Sequence, residues 1–213
     1  MALPLPPISL ELATEADIEI EAERERKPLL RGWLHAAAAV AAIVVTALLA
    51  EQSRGDLARF VSLLVYGLTT VALYTTSAVL HLGSWRGKLY TCLLGLDYSN
   101  IFLMIAGTYT PICVAVLSGW LGPSVLVAIW TVAALGIVGN AVTRRLPRWA
   151  RSAIYVGMGL PGIALAPQLA ERLPIEAIAL LAFGGLLYAV GAVIYTCRRP
   201  DPFPHHFGFH ELL

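Results

Sequence analysis

Six long apolar runs fix the class of fold open to this chain. They lie at about 30–50, 58–82, 94–117, 121–142, 150–170 and 175–197. Each is close to the roughly 20 residues that a helix needs to cross about 30 Å of hydrocarbon. None alternates apolar and polar residues with a period of two, which excludes a transmembrane barrel. Within a bilayer the backbone satisfies its own hydrogen bonds only as helix or closed barrel. The expected fold is therefore all-α, a polytopic transmembrane helix bundle, with short loops that make sequential helices antiparallel. Composition agrees: of 213 residues, 58% are hydrophobic and 14% charged. Soluble domains run at roughly 45–50% and 25%.

Charge is segregated along the chain. Seven of the fourteen acids fall between Glu11 and Glu25, so residues 1–28 read as a disordered acidic tail ahead of a membrane domain spanning 29–213. Twelve Lys and Arg flank one set of helix ends: Arg24, Arg26, Lys27, Arg31, Arg86, Lys88, Arg144, Arg145, Arg148, Arg151, Arg198 and Arg199. Only Arg54, Arg59 and Arg172 flank the other. Because basic loops stay inside, the N-terminus and the tail are expected in the cytoplasm and the protein in the cell membrane. Trp33, Trp85 and Trp149 fall at the inner edge and Trp120 at the outer one, as an aromatic belt would. Cys92, Cys113 and Cys197 form no CxxC pair and read as free thiols. The basic loops are explained by topology, and no nucleic-acid patch is present.

That orientation brings ionisable groups distant in sequence to one depth. His81 ends the second run on the inner side, and Asp97 stands near the inner start of the third. His210 opens a further helical turn, GFHELL, from the same side. An Asp inside a membrane helix costs at least about 2.5–3.5 kcal/mol at mid-span, so it usually faces a partner or a cavity. Neutral imidazole suits zinc. Asp97 could orient a ligand imidazole or hold a bound water. Ser77, one turn before His81, could hydrogen-bond that water or the Asp. The plainer alternative is an interfacial His81 with Ser77 bonded back to its own helix. His206 and His210 stand four apart, but Pro204 and Gly208 argue against one helix there, and His205 adjoins them. His35 is expected to be interfacial. Thr108 and Thr110 are expected to bond back to carbonyls freed by Pro111, and Asn140 to tie helices together. Gly157, Gly159 and Gly162 with Pro161 would allow close helix approach or a bend.

In the segments SAVLH, LDYSNIFLMIAGTYTP and FGFHELL the chain resembles the haemolysin III branch of the progestin and adipoQ receptor family, over about residues 28–213. The resemblance implies seven transmembrane helices, a cytoplasmic N-terminus and a Zn²⁺ site near the cytoplasmic side. The wider group it implies includes membrane hydrolases such as alkaline ceramidases. The family's Ser-x3-His motif falls on Ser77 and His81, its Asp on Asp97, and its His-x3-His pair on His210 and the position after Leu213. Six spans of the expected seven are therefore present, and the expectation is a last helix truncated at Leu213.

The first functional reading is a zinc-dependent intramembrane hydrolase of a lipid amide or ester. His81 and His210 would be metal ligands, and Asp97 and Ser77 catalytic. The second is a non-enzymatic lipid sensor or a pore-forming cytolysin, although a pore needs a polar stripe along several spans and only isolated polar residues occur. The third is a structural protein whose zinc ties helices together. The expected partner is membrane lipid; homo-oligomerisation stays open.

Overall fold

The computed structural model describes residues 28, 30–142, 147–203 and 206–212. The acidic tail, Arg144, Arg145 and His205 lie outside the described residues. Among the described residues, five helices are long and apolar enough to cross a membrane. They are α1 (Trp33–Gln52), α2 (Leu57–Leu82), α3 (Gly87–Ala115), α4 (Leu121–Val142) and α8 (Ile175–Cys197). The short connections make neighbours antiparallel: α2 packs on α1 and α3, and α3 on α4. Few side chains of these helices are buried, and none of α8. Val40, Leu135, Leu180 and Val193 are among many large apolar residues left on the outside, as expected where lipid is the solvent.

The run at 150–170 is not a sixth continuous span. It divides into α5 (Arg148–Gly159), α6 (Pro161–Ala164) and α7 (Ala166–Ala170). Pro161 and Pro167 lack the N–H that would bond four residues back, so the ladder opens at each. The side chain of Tyr109 on α3 meets the first break. Its hydroxyl accepts from Gly162 N–H at 2.9 Å and lies 3.1 Å from the carbonyls of both Met158 and Gly159. A Cβ at Gly157 would meet open space, and those at Gly159 and Gly162 would make ordinary contact with Tyr188 and Tyr109, so this segment shows the bend and no approach so close as to require glycine.

Close approach happens elsewhere. A Cβ at Gly67 would overlap the side chain of Thr46, and one at Gly107 that of Thr69, so these two glycines let α2 and α3 sit tightly on their predecessors. The core lies between α3, α4 and α5–α7, with Phe102, Ala106, Tyr109, Ile129, Ala133 and Tyr155 buried in it.

α3 is the axis of the bundle. It begins at Gly87, seven residues before the expected 94, and its 29 residues span about 43 Å at 1.5 Å per residue. Thr108 and Thr110 bond back to the carbonyls of Met104 and Ala106. Neither reaches the Gly107 carbonyl, the one that Pro111 frees. Asn140 on α4 donates to Gly95 O at 3.1 Å and to Ser99 Oγ at 3.2 Å, the interhelical role expected of it.

Replacing Tyr109 with Phe strands Gly162 N–H in apolar surroundings. The expected loss is about 1–3 kcal/mol, read as a lower unfolding midpoint of the detergent-solubilised protein. A midpoint equal to that of the parent would show that the hydroxyl does not hold the bend.

Candidate functional site

The site forms where the start of α1, the end of α2, the first half of α3 and the C-terminal segment converge. Gly32 precedes α1 with φ 89°. A Cβ there would lie 3.0 Å from Leu82 Cγ and 3.1 Å from His81 Cβ. Both the left-handed backbone and the space call for glycine, and the result is that α1 starts directly on the end of α2. His35, three residues on, thereby comes to face His81, with ring centroids 5.8 Å apart. At the end of α2 the indole N–H of Trp85 donates to Val79 O at 2.7 Å. Trp85 therefore caps the helix that carries His81, beyond the membrane-edge role expected of it.

The C-terminal segment is tied back onto this corner. Leu30 N–H donates to His206 O at 3.2 Å, and Phe209 N–H to Asp201 Oδ1 at 2.9 Å. Gly208 N–H donates to Glu211 Oε2 at 2.7 Å. The other carboxylate oxygen of Glu211 stands 3.6 Å from Arg31 Nε, with both side chains largely buried. Neither of these two atoms has a hydrogen bond, so the contact is an ion pair just beyond hydrogen-bond length. These ties set a 3₁₀ turn, Phe209–Leu212, which brings His210 Nε2 to 2.9 Å from His81 Nε2.

Two imidazole nitrogens at that distance can share one proton or flank a cation, and either needs a neutral ring. Burial, then the neighbouring His81, Arg31, His35 and Arg148, hold His210 well below the ordinary imidazole range. It is therefore neutral near pH 7.

Asp97 completes the corner. It is 9% exposed, has the Ser77 hydroxyl as a polar neighbour, and keeps Oδ1 buried without a partner. A cavity of about 60 Å³ is shared by His81, Asp97, His210, Arg31, Arg148 and Tyr195, with room for a small cluster of waters. Its wall is braced by Arg151, whose guanidinium lies 3.7 Å from the centre of the Tyr98 ring and donates to Tyr195 Oη at 3.1 Å.

The structure thus brings His81, Asp97 and His210 to one cavity, with Ser77 behind Asp97. His206 is exposed and does not share a helix with His210, because the turn starts only at Phe209. His35 stands in the first turn of α1, and its ring faces those of His81 and His210. The depth argument that selected His81 and His210 applied equally to His35 and was the signal that could have found it. Glu211 and Arg151 had no such signal, one standing in a partial motif and the other in a basic cluster. Among the described residues, no group of three or more His, Cys, Asp or Glu is arranged to hold a metal ion as it stands.

Breaking a buried ion pair from one side costs more than removing both charges. Arg31→Ala is expected to lower the unfolding midpoint, and Arg31→Ala with Glu211→Gln to recover part of the loss. A double variant less stable than the single one would refute the coupling.

Compared with known proteins, residues 24–213 match the family model described as Haemolysin-III related. The chain is similar to Hemolysin-3 of Bacillus cereus, 36% identical over 154 residues, which cover 72% of this chain and 69% of that protein. It is 33% identical to the Hemolysin-3 homolog of Bacillus subtilis (strain 168), over 72% of this chain and 70% of the relative. The human Monocyte to macrophage differentiation factor is 28% identical over 81% of this chain and 73% of its own length. No solved structure matches.

Proposed function

This chain belongs to the haemolysin-III-related family of multi-pass membrane proteins, and from that premise we propose that it is a zinc-dependent hydrolase of a lipid amide or ester. The observation that carries the reading is the approach of His81 and His210, Nε2 to Nε2 at 2.9 Å, beside the unpartnered Oδ1 of Asp97. Two imidazoles on one tetrahedral zinc, bound at about 2.0–2.1 Å, have their nitrogens about 3.3 Å apart. A few tenths of an ångström of ring movement would admit the ion, so the donor set fits. His81 and His210 would hold it. When bound, zinc lowers the pKa of a water toward 7 and polarises a carbonyl.

The chain's own residues then have distinct tasks. Asp97 takes a proton from the attacking water at Oδ1. As the acyl carbon gains the water oxygen and loses its bond to nitrogen or oxygen, Asp97 returns that proton to the departing amine or alcohol. The Ser77 hydroxyl, beside the same carboxyl, would fix its direction. Arg31 and Arg148 at the cavity wall favour a polar headgroup there, while acyl chains lie along the apolar helix faces. The positive-inside bias supports a cytoplasmic position for this corner and the N-terminus, in the cell membrane. A pore is disfavoured because the polar side chains of α3 are engaged between helices: Asn100 donates to Thr76 Oγ1 and Ala72 O, and Thr110 accepts from Trp130 Nε1–H.

Purified protein is expected to carry close to one zinc per chain by elemental analysis and to release fatty acid from ceramide in mixed micelles. His81→Ala should lose both. Asp97→Asn should keep the zinc and slow turnover by about 10²–10⁴-fold, the usual share of a general acid–base group. Protein that takes up no zinc, or zinc retained in full by His81→Ala, refutes the proposal.

A further inference from the structure

We infer that the cavity holds a phosphate group, with the Tyr195 hydroxyl donating to it and Arg151 supplying the balancing charge from behind; insofar as that group is the headgroup of a substrate lipid, the inference rests on the hydrolase reading above. Arg151 carries the inference. It is 8% exposed, and its Nε is buried without a hydrogen-bond partner. Its polar contacts are with neutral groups. The guanidinium carbon lies 3.7 Å from the centre of the Tyr98 ring, and Nη1 lies 3.1 Å from Tyr195 Oη. Among the described residues no carboxylate forms an ion pair with it. Topology alone does not explain the residue, because a basic side chain that only marks the inner face can stay in water. A ring face offsets only part of the cost of burying an unpaired charge. A permanent cation held in this way calls for a permanent anion, and none of the described residues supplies it.

Tyr195 turns that charge toward the cavity, which it lines. Its hydroxyl accepts from Arg151, and among the described residues the hydroxyl proton has no acceptor. A phenol that accepts from a guanidinium is the stronger donor for it, since linked hydrogen bonds polarise one another. Arg148 stands one turn before Arg151 on α5 and lines the same cavity. Its guanidinium carbon is 5.6 Å from the centre of the Tyr195 ring. Like charges three residues apart on a helix repel, and an anion near both turns that repulsion into attraction. Arg31, Arg148 and Arg151 face only two buried carboxyls at this corner, Asp97 and Glu211, so positive charge is left over. The cavity of about 60 Å³ has room for about four water-sized groups, as many as a phosphate has oxygens. Guanidinium groups match phosphate in charge and in the fork of their donors. Tyr195 and His81 both stand in the last turn of their helices, at the level where lipid headgroups begin. A lipid is one source of the phosphate, and the free ion is the other.

Dioctanoyl phosphatidic acid and dioctanoylglycerol differ only in the phosphate, and titrating each into the protein in neutral maltoside micelles tests the site without turnover. The parent should bind phosphatidic acid about 10–100-fold more tightly, the usual weight of a hydrogen bond to a charged group. Arg151→Met keeps the length of the side chain and removes its charge, and should bring that ratio close to one. Should this variant fold poorly, Tyr195→Phe carries the test. It should cut the ratio by about tenfold while dioctanoylglycerol binds as before, whereas a change in packing alone would move both lipids. Inorganic phosphate, titrated by itself, separates the sources. Affinity equal to that of phosphatidic acid supports the site with the free ion as occupant, and much weaker affinity supports it with the lipid. A parent that neither prefers phosphatidic acid nor binds phosphate overturns the inference, as does a ratio left unchanged by Tyr195→Phe and by folded Arg151→Met. Protein that shows the preference but hydrolyses no lipid strikes the hydrolase reading alone, so the two failures are distinct.

Discussion

A carboxyl group buried among lipid-facing helices has to be accommodated by the protein, and Asp97 imposes that condition on the whole bundle. Burying it is costly unless the neighbouring helices present polar groups. Ser77 on α2 stands beside it. One turn along α3, Asn100 reaches Thr76 and the Ala72 carbonyl on the same face of α2. On the opposite side Asn140 of α4 reaches Gly95 O and Ser99 Oγ. These bonds set the register of α3 against both neighbours around a single turn. Apolar contact alone sets register poorly in a membrane, because lipid tails compete equally well for Leu and Val.

The second constraint acts at the end of the bundle. Two separate devices hold the imidazoles in place, and neither involves the rings. Gly32 lets the start of α1 lie on the end of α2. The Leu30–His206 bond, with Glu211 clasping Gly208 and facing Arg31, folds the C-terminal turn back onto the same corner. The rings are consequently held by backbone geometry from three directions, the kind of support a site needs if it is to keep its shape when a ligand binds.

Most of the helical architecture was legible from apolar run length. Departures came where that signal is weakest. The first two turns of α3 contain Lys88, Tyr90 and Thr91, so hydropathy hides a helix that continues past the apolar layer. The run at 150–170 is apolar enough to cross, yet Pro161 and Pro167 break its ladder, and the continuity that remains is mended from Tyr109, about 50 residues away. Asp97, His81 and His210 could be gathered by depth, because helix direction alternates and the basic loops mark one side. His35 satisfied the same rule, but a histidine at the end of a span has an ordinary membrane-edge explanation, and its nearness to the other two rings shows only in the structure. Arg151 was hidden for a related reason: its charge fitted the topology of a basic loop, whereas its guanidinium lies over Tyr98 inside the protein.

By itself the sequence determined that this chain is a helical membrane protein of the haemolysin III kind, which helix ends share a side, and which carboxyl and imidazole groups stand at one depth. These follow from local quantities: the length of an apolar run, the sign of a loop and the spacing of a motif. Tertiary structure decided which of those groups touch, that His35 joins them, and that Glu211 and Arg31 lock the turn beneath. Depth is a single coordinate, whereas contact needs three. The other two come from how tightly α1 and α2 approach at Gly32 and how His206 is hydrogen-bonded back to Leu30.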